Sequence, residues 1–435
     1  MKKTSIKIIK ILRKAGYEAY WAGGCVRDLL MGKEPCDYDI VTSAKPDQIE
    51  NLLEKTIPVG KKYGVIVTVL EDHRFEVATF RSDASYTDGR RPDAVYFTSA
   101  KEDALRRDFT INGMFYDPIS KKVLDYVSGQ DDIKNKIVRF IGDPEERIKE
   151  DNLRLLRAIR FKNSLRFKYD KKTFEAISRN AKLIKNVTWE RISEELNKML
   201  QLAGREDAFS EMDKAGILDY VLPELVKLKG VKQPEKYHKE GDVFTHTILS
   251  LKALPDKVVP ELAWATLLHD IGKPDTYKVA ERIRFDGHAE LGEEIVDKIA
   301  RRLKFSTSLR ENVKWLVKHH MTTGNVLKMT PSHQASFVHH PLFDELVELL
   351  RADELGSEPK DLSLYKKLKK LIEKQELLLP KPKKLISGKE VMKEFGVGEG
   401  SKLGKILSAI DKAQIEGKVK TKKQAKDFIK NYLQK

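Results

Sequence analysis

The sequence predicts an α+β N-terminal domain followed by a mostly α-helical remainder. Three observations carry this. Residues 17–140 hold short runs rich in β-branched residues, such as Gly64–Leu70 and Arg74–Phe80, joined by the polar turn Glu71-Asp72-His73. From Asp143-Pro144 onward the apolar residues recur at helical spacing, through Ile148, Leu153, Leu156, Ile159 and Leu165. Residues 231–358 keep a helical pattern and contain nine of the ten histidines.

Taken in order, the first element is an amphipathic segment with Ile6, Ile9 and Leu12 among lysines. No apolar stretch reaches the ~18 residues of a membrane span, so a soluble, cytoplasmic chain without a cleaved leader and without a membrane partner is expected. At 435 residues the chain exceeds what one core usually organises. Four domains are expected: 1–140, 141–230, 231–360 and 361–435. Asp143 stands at a capping position with Pro144 in the first turn, and one long helix is expected from there to Leu165. Gly230–Pro234 marks the next boundary, and the lysine-rich tail opens near the PKPKK of residues 380–384.

Lys and Arg total 82 against 66 Asp and Glu, a formal net charge of +16 that favours a polyanionic partner. Residues 381–435 supply +9 of it, from 15 Lys and 6 acidic residues. Two cysteines, Cys25 and Cys36, exclude a disulfide framework and a four-cysteine zinc site.

Residues 20–41 read YWAGGCVRDLLMGKEPCDYDIV. In an extended strand, residues two apart share a face, so Asp37 and Asp39 present two carboxylates side by side. Such a pair repels unless a divalent cation lies between, and hard oxygen ligands suit Mg²⁺ that also holds phosphates. A lone Asp-x-Asp is usually a pair of solvated loop acids. Here Gly23-Gly24 upstream permits close backbone approach to phosphate, with Arg27 as a charge clamp.

GGCVRD and DYDI, then RRDFTINGM at 106–114, then GDPEERIKEDNLRLLRAIRF at 142–161, resemble in that order the motifs of the class II tRNA nucleotidyltransferases, the CCA-adding enzymes, and of the related bacterial poly(A) polymerases. The resemblance departs at Gly113, where the family more often has Ala. It implies a polymerase-β-like nucleotidyltransferase head with a mixed sheet, then helical neck, HD and tail domains. Asp37 and Asp39 would be the metal-binding catalytic carboxylates, with Glu76 either a third or an ordinary solvent-facing strand residue, and Gly24, Arg27, Arg107, Asp108 and Asn112 would hold the nucleotide. The implied activity is two-metal, Mg²⁺-dependent addition of CCA to tRNA from CTP and ATP, by a monomer or homodimer. An A-adding enzyme or a poly(A) polymerase shares the same core; VGKKYGVIVTV at 59–69 looks closer to the CCA type.

Asp151 and Arg154, three apart on the expected helix, would share a face. A carboxylate accepts from the exocyclic amine of cytosine or adenine while a guanidinium donates to the neighbouring ring nitrogen. Guanine and uracil invert that pattern and leave buried groups unpaired, at about 1–3 kcal/mol each. One pair can thus accept C and A without a nucleic-acid template. Arg157 and Arg160 either contact triphosphate or pack at the neck. Ser82–Asp93 lack strand periodicity and resemble the flexible loop that the family needs for adding the terminal A.

His246, the pair His269-Asp270, His288, the pair His319-His320 and Asp353, in YHKEGDVFTHT, LLHDIGKPDT and FDGHAELGEE, resemble an HD-domain metal phosphohydrolase. The resemblance implies His246, His269, Asp270 and Asp353 as core ligands of a divalent metal, with His288 and His319, or its neighbour His320, serving a second ion. Phosphatase or 2′,3′-cyclic phosphodiesterase activity would follow. A degenerate HD fold kept as a spacer is the alternative. A third function, an HD hydrolase whose N-terminal half only binds RNA, is opposed by the intact Asp37 and Asp39. The tail resembles the RNA-binding end of the same enzymes, its lysines suited to phosphate contacts.

Overall fold

The computed structural model describes residues 1–58, 60–84, 94–378, 385–415 and 418–433. The chain forms two compact units, Met1–Val226 and Lys227–Lys435.

The first unit is built on a seven-stranded sheet. Its strands are β1 (Ala19–Ala22), β2 (Ile40–Thr42), β3 (Thr56–Ile57), β4 (Val65–Leu70), β5 (His73–Thr79), β8 (Phe115–Asp117) and β9 (Lys122–Leu124), in the order β3-β4-β5-β2-β1-β8-β9. The sheet is mixed: β2 and β5 run parallel, while β4 and β5 form an antiparallel hairpin across Glu71 and Asp72, both at positive φ. The helix Lys2–Lys14 buries Ile8, Ile9 and Leu12 in the core beside the strands, where Trp21 donates its indole N–H to Ser5 Oγ at 3.0 Å. Strands β6 (Arg81–Asp83) and β7 (Val95–Phe97) pair antiparallel, so Ser82 is a strand residue rather than loop. Residues 85–93 of the expected flexible loop lie outside the described residues.

The long helix expected after Asp143 is two helices. Asp143 does cap the first, Pro144–Glu150, accepting from the N–H groups of Glu145 and Glu146. The chain then breaks, with Asp151 at φ −143° and ψ 103°, and the helix Arg154–Leu165 begins afterwards. Asp151 Oδ1 accepts from the N–H of Leu153 at 3.1 Å, so the side chain competes with the helical ladder two residues on.

The second unit is helical. Gly356, in the helix Phe343–Gly356, passes so near the helix Val243–Lys252 that an added Cβ would lie 2.3 Å from Ser250 Oγ. Gly272 does the same against the helix His288–Arg302, 2.3 Å from the His288 carbonyl oxygen. Residues 385–433 close around their own core of Ile386, Val391, Ile406, Ile410 and Ile429. Lys389, Lys393, Lys402, Lys405, Lys423 and Lys430 stay exposed. Among the described residues, no helix is long and apolar enough to cross a membrane.

Candidate nucleotidyl-transfer and metal sites

Asp37 and Asp39 lead into β2. Tyr38 between them is buried against Trp21, ring centroids 4.7 Å apart, while Asp37 is exposed and Asp39 half-buried, so the two carboxylates share the opposite face. The β2–β5 register, Ile40 opposite Val77, brings Glu76 to the same place. The crowding is measurable in charge. Burial, then Asp37 and Glu76, push the Asp39 carboxyl up to about 6, opposed by Arg107. A divalent cation beside Asp39 would relieve this crowding.

Beside Asp39 opens a cleft of about 410 Å³. Gly24, Arg27, Arg107, Asp108, Asn112, Asp151, Arg154 and Arg157 all line it with Asp39. Gly23, at φ +71°, makes the turn that starts the helix Gly24–Leu30. A connected polar chain then fixes the walls. Arg27 donates to Asn112 Oδ1 at 2.9 Å and to Asp28 Oδ1, and Asn112 lies 3.4 Å from Asp108 Oδ1. Arg157 Nε donates to Asp108 Oδ2 at 2.8 Å. Burial would raise the Asp108 carboxyl, but Arg157 and Arg154 overcome it and hold it low. Arg107 is tethered to Asp103 at 3.0 Å, with its guanidinium over Phe115.

Arg160 does not line the cleft: its Nε donates to Glu195 Oε2 at 2.6 Å, so of the two arginines only Arg157 reaches the cavity. Asp151 and Arg154 are both in the cleft, but not as neighbours on one helix face. The break puts Asp151 before the second helix, where Arg191 grips it at 3.0 and 2.8 Å. Arg154 is held by Glu150, by the Arg147 carbonyl at 2.8 Å and by the Arg106 carbonyl at 3.3 Å.

In the second unit, His246, His269 and Asp353 offer three ligand atoms within 4.8 Å of one another, and Asp270, His288 and His320 offer three more. Asp353 Oδ1 is 2.9 Å from His246 Nε2 and 3.7 Å from His269 Nε2. Asp270 Oδ1 is 3.5 Å from His288 Nε2 and 3.9 Å from His320 Nε2. Each ring is aimed inward by a hydrogen bond on its far nitrogen: Nδ1 of His269, His288 and His320 meets the carbonyls of Thr266, Phe285 and Val317, and that of His246 meets Glu240. Two buried atoms, His269 Nε2 and Asp270 Oδ2, have no hydrogen bond, although they lie 3.2 Å apart and Lys273 Nζ sits 2.7 Å from the carboxylate. Buried nitrogen and oxygen ligand atoms gathered into two triads fit divalent metal ions.

His319 joins neither triad. It packs against Trp315 and Phe337 with Nδ1 toward Thr322, and His320, one residue on, takes the inward position. The helix ends at His319 and the tighter 3₁₀ turn His320–Thr322 redirects the next side chain.

Three family models match the chain: the poly A polymerase head domain over residues 19–139, a probable RNA-binding site of polymerase A over 166–228, and the HD domain over 246–374. Residues 19–139 thus match a poly A polymerase head domain and residues 246–374 an HD domain. Relatives include the CCA-adding enzymes of Bacillus velezensis and Bacillus subtilis, each 38% identical over 62% of this chain. The matched part spans 64% and 66% of their lengths, respectively. The crystal structure of the Bacillus stearothermophilus CCA-adding enzyme with CTP is similar over 99% of this chain and 98% of its own, at 26% identity and a TM-score of 0.66.

The electrostatics differ between the two sites. The first gathers carboxylates at the rim of an arginine-rich cleft. The second buries its charges: burial first, then His269 and His288, push the His320 imidazole down to about 4, whereas His246, despite burial, is raised to about 9 by Asp353 and Glu240. Above it lies a cleft of about 820 Å³ whose walls include Lys236, Lys273, Arg282 and Arg284. Sequence reasoning missed Glu240 and Lys273, although Lys273 stands one helical turn after Asp270. It also missed Arg191 and Glu195, for which no local pattern exists.

Proposed function

We propose that this chain adds C, C and A to the 3′ ends of tRNA, without a nucleic-acid template, from CTP and ATP. The observation that carries the reading is one cleft in which the Asp39 carboxylate faces both a phosphate-binding set, Arg27 and Arg107, and a base-reading set, Asp151 and Arg154. Mg²⁺ bound by Asp37, Asp39 and Glu76 would supply activation of the attacking 3′-hydroxyl and charge neutralisation of the triphosphate. Arg27 and Arg107 would clamp phosphate oxygens, and Asn112 and Asp108 would fix the ribose side. Residues 1–140 act as the head and 141–230 as the neck that reads the base. Residues 361–435 act as the basic tail that holds the tRNA body. The family match and the CTP-bound relative support this.

The discriminating experiment offers tRNA ending at the discriminator base with CTP alone, ATP alone, or both. Incorporation of C with CTP alone, then A with both, is expected. Addition of A without any C would establish an A-adding or poly(A) activity instead.

A second reading is favoured by the two ligand triads: residues 231–360 are a metal-dependent phosphohydrolase. Bound divalent metal would supply a hydroxide nucleophile. Lys273, Arg282 and Arg284 beside the triads supply the positive wall that a phosphate ester needs. A His269→Ala, Asp270→Ala double variant should lose metal-dependent phosphatase and 2′,3′-cyclic phosphodiesterase activity while keeping nucleotide addition. Equal hydrolysis by the variant would dismiss the site.

A further inference from the structure

Asp151 has lost the helix that would orient it. It sits in the break between Pro144–Glu150 and Arg154–Leu165, with extended backbone angles, so nothing in its own ladder sets where the carboxylate points. Arg191 does. From the helix Trp189–Leu200 it donates Nη1 to Asp151 Oδ1 at 3.0 Å and Nη2 to Oδ2 at 2.8 Å, a two-pronged contact that fixes the plane of the carboxylate. Asp151 lines the cleft and Arg191 stands behind it, outside the lining.

The acceptor inventory is then nearly full. A carboxylate offers about four lone-pair sites on its two oxygens. Arg191 takes one on each, and the N–H of Leu153 takes a second on Oδ1 at 3.1 Å. One site is left, on Oδ2.

We propose that Arg191 is a positioning residue for nucleotide selection: it pins Asp151 so that a single acceptor, Oδ2, meets the amino group of cytosine or adenine. The inference rests on the reading of Asp151 and Arg154 as the base-reading pair. Its physical content is rigidity. Uracil or guanine would bring a carbonyl oxygen to Oδ2, and an acceptor facing an acceptor is a loss that the site escapes only if the carboxylate swings away. With both oxygens held, it cannot. Lysine is no substitute, because a point charge with a flexible stem reaches one oxygen and frees the plane.

The test measures kcat/KM of full-length protein for CTP and UTP on tRNA ending at the discriminator base, in wild type, Arg191→Gln, Arg191→Lys and Arg154→Ala. Both Arg191 variants should lower the CTP-over-UTP ratio, by about 5- to 100-fold for Arg191→Gln and by less for Arg191→Lys. A purely structural role would slow all nucleotides alike, so an unchanged ratio in folded variants overturns the proposal. Should Arg191→Gln fail to fold, Arg191→Lys, which keeps the charge, decides. If Arg154→Ala also leaves the ratio unmoved, the base-reading pair itself is wrong. If Arg154→Ala shifts it and the Arg191 variants do not, only the role of Arg191 falls.

Discussion

His288 and His320 face each other through their Nε2 atoms at 3.1 Å. Both Nδ1 atoms are engaged with carbonyl oxygens, which can only accept, so each ring carries its proton on the far side. Burial, the largest influence on each, lowers both imidazoles from their ordinary value, so both are neutral near pH 7. Two lone pairs therefore point at one another across a buried gap, beside Asp270. A cation between them turns that repulsion into ligation. His320→Ala should weaken divalent-metal binding by about tenfold or more, read by calorimetric titration. His319→Ala should leave it within error, and equal losses in both variants would contradict the assignment.

Gly272 sets the distance between the Asp270 turn and the helix that begins at His288. A Cβ there would stand 2.3 Å from the His288 carbonyl oxygen and 3.1 Å from its carbon, and backbone cannot step aside as a side-chain tip can. Gly272→Ala should cost about 1–3 kcal/mol and lower the metal stoichiometry of the second unit. Thermal unfolding with metal analysis checks both effects. Nucleotide addition should be retained.

Asp39→Asn keeps the size of the side chain and removes one of the three crowded carboxylates. Nucleotide addition should fall on the order of a hundredfold or more, with divalent-metal binding by the second unit unchanged. Single-turnover addition of C with saturating CTP is the measurement. A variant at wild-type rate would remove Asp39 from the chemistry.

Asp103 and Asp108 are buried and held below the usual carboxylate range; burial raises them, but Arg107 and Arg106 for the first and Arg157 and Arg154 for the second prevail. A depressed folded-state pKa contributes stability that is present above the unfolded value, near 3.9, and is lost as pH falls through the folded one. The melting temperature of the first unit should therefore drop as the solution is taken below about pH 4. Asp108→Asn should start lower at neutral pH and show a shallower acid slope, which a pH series of thermal melts would reveal.

The tail lysines that remain exposed around the 385–433 core carry a salt prediction. Replacing Lys402 and Lys405 by Ala should weaken tRNA binding and reduce the slope of log K against log salt by up to about 0.9 per lost phosphate contact. Filter binding across a salt series checks it. An unchanged slope would free these two residues from the interface.

The sequence by itself determined the element types, the carboxylate pair and most of the histidine set, because these rest on local rules. Alternation around Tyr38 puts Asp37 and Asp39 on one face wherever the strand lies, Asp143-Pro144 starts a helix from its own atoms, and adjacent His269-Asp270 arrive together. Three matters were left to the tertiary structure. Whether His319 or His320 joins the cluster was decided by the 3₁₀ turn after His319, which turns His320 inward while His319 packs against Trp315 and Phe337. The expected single helix through Leu165 broke because Asp151 found partners in Leu153 and Arg191, and a side-chain bond to a residue forty positions away outweighs helical spacing. And Arg160, at helical register with Arg157, was drawn off by Glu195. Charges choose among partners by proximity, and proximity between distant segments exists only once the chain has folded.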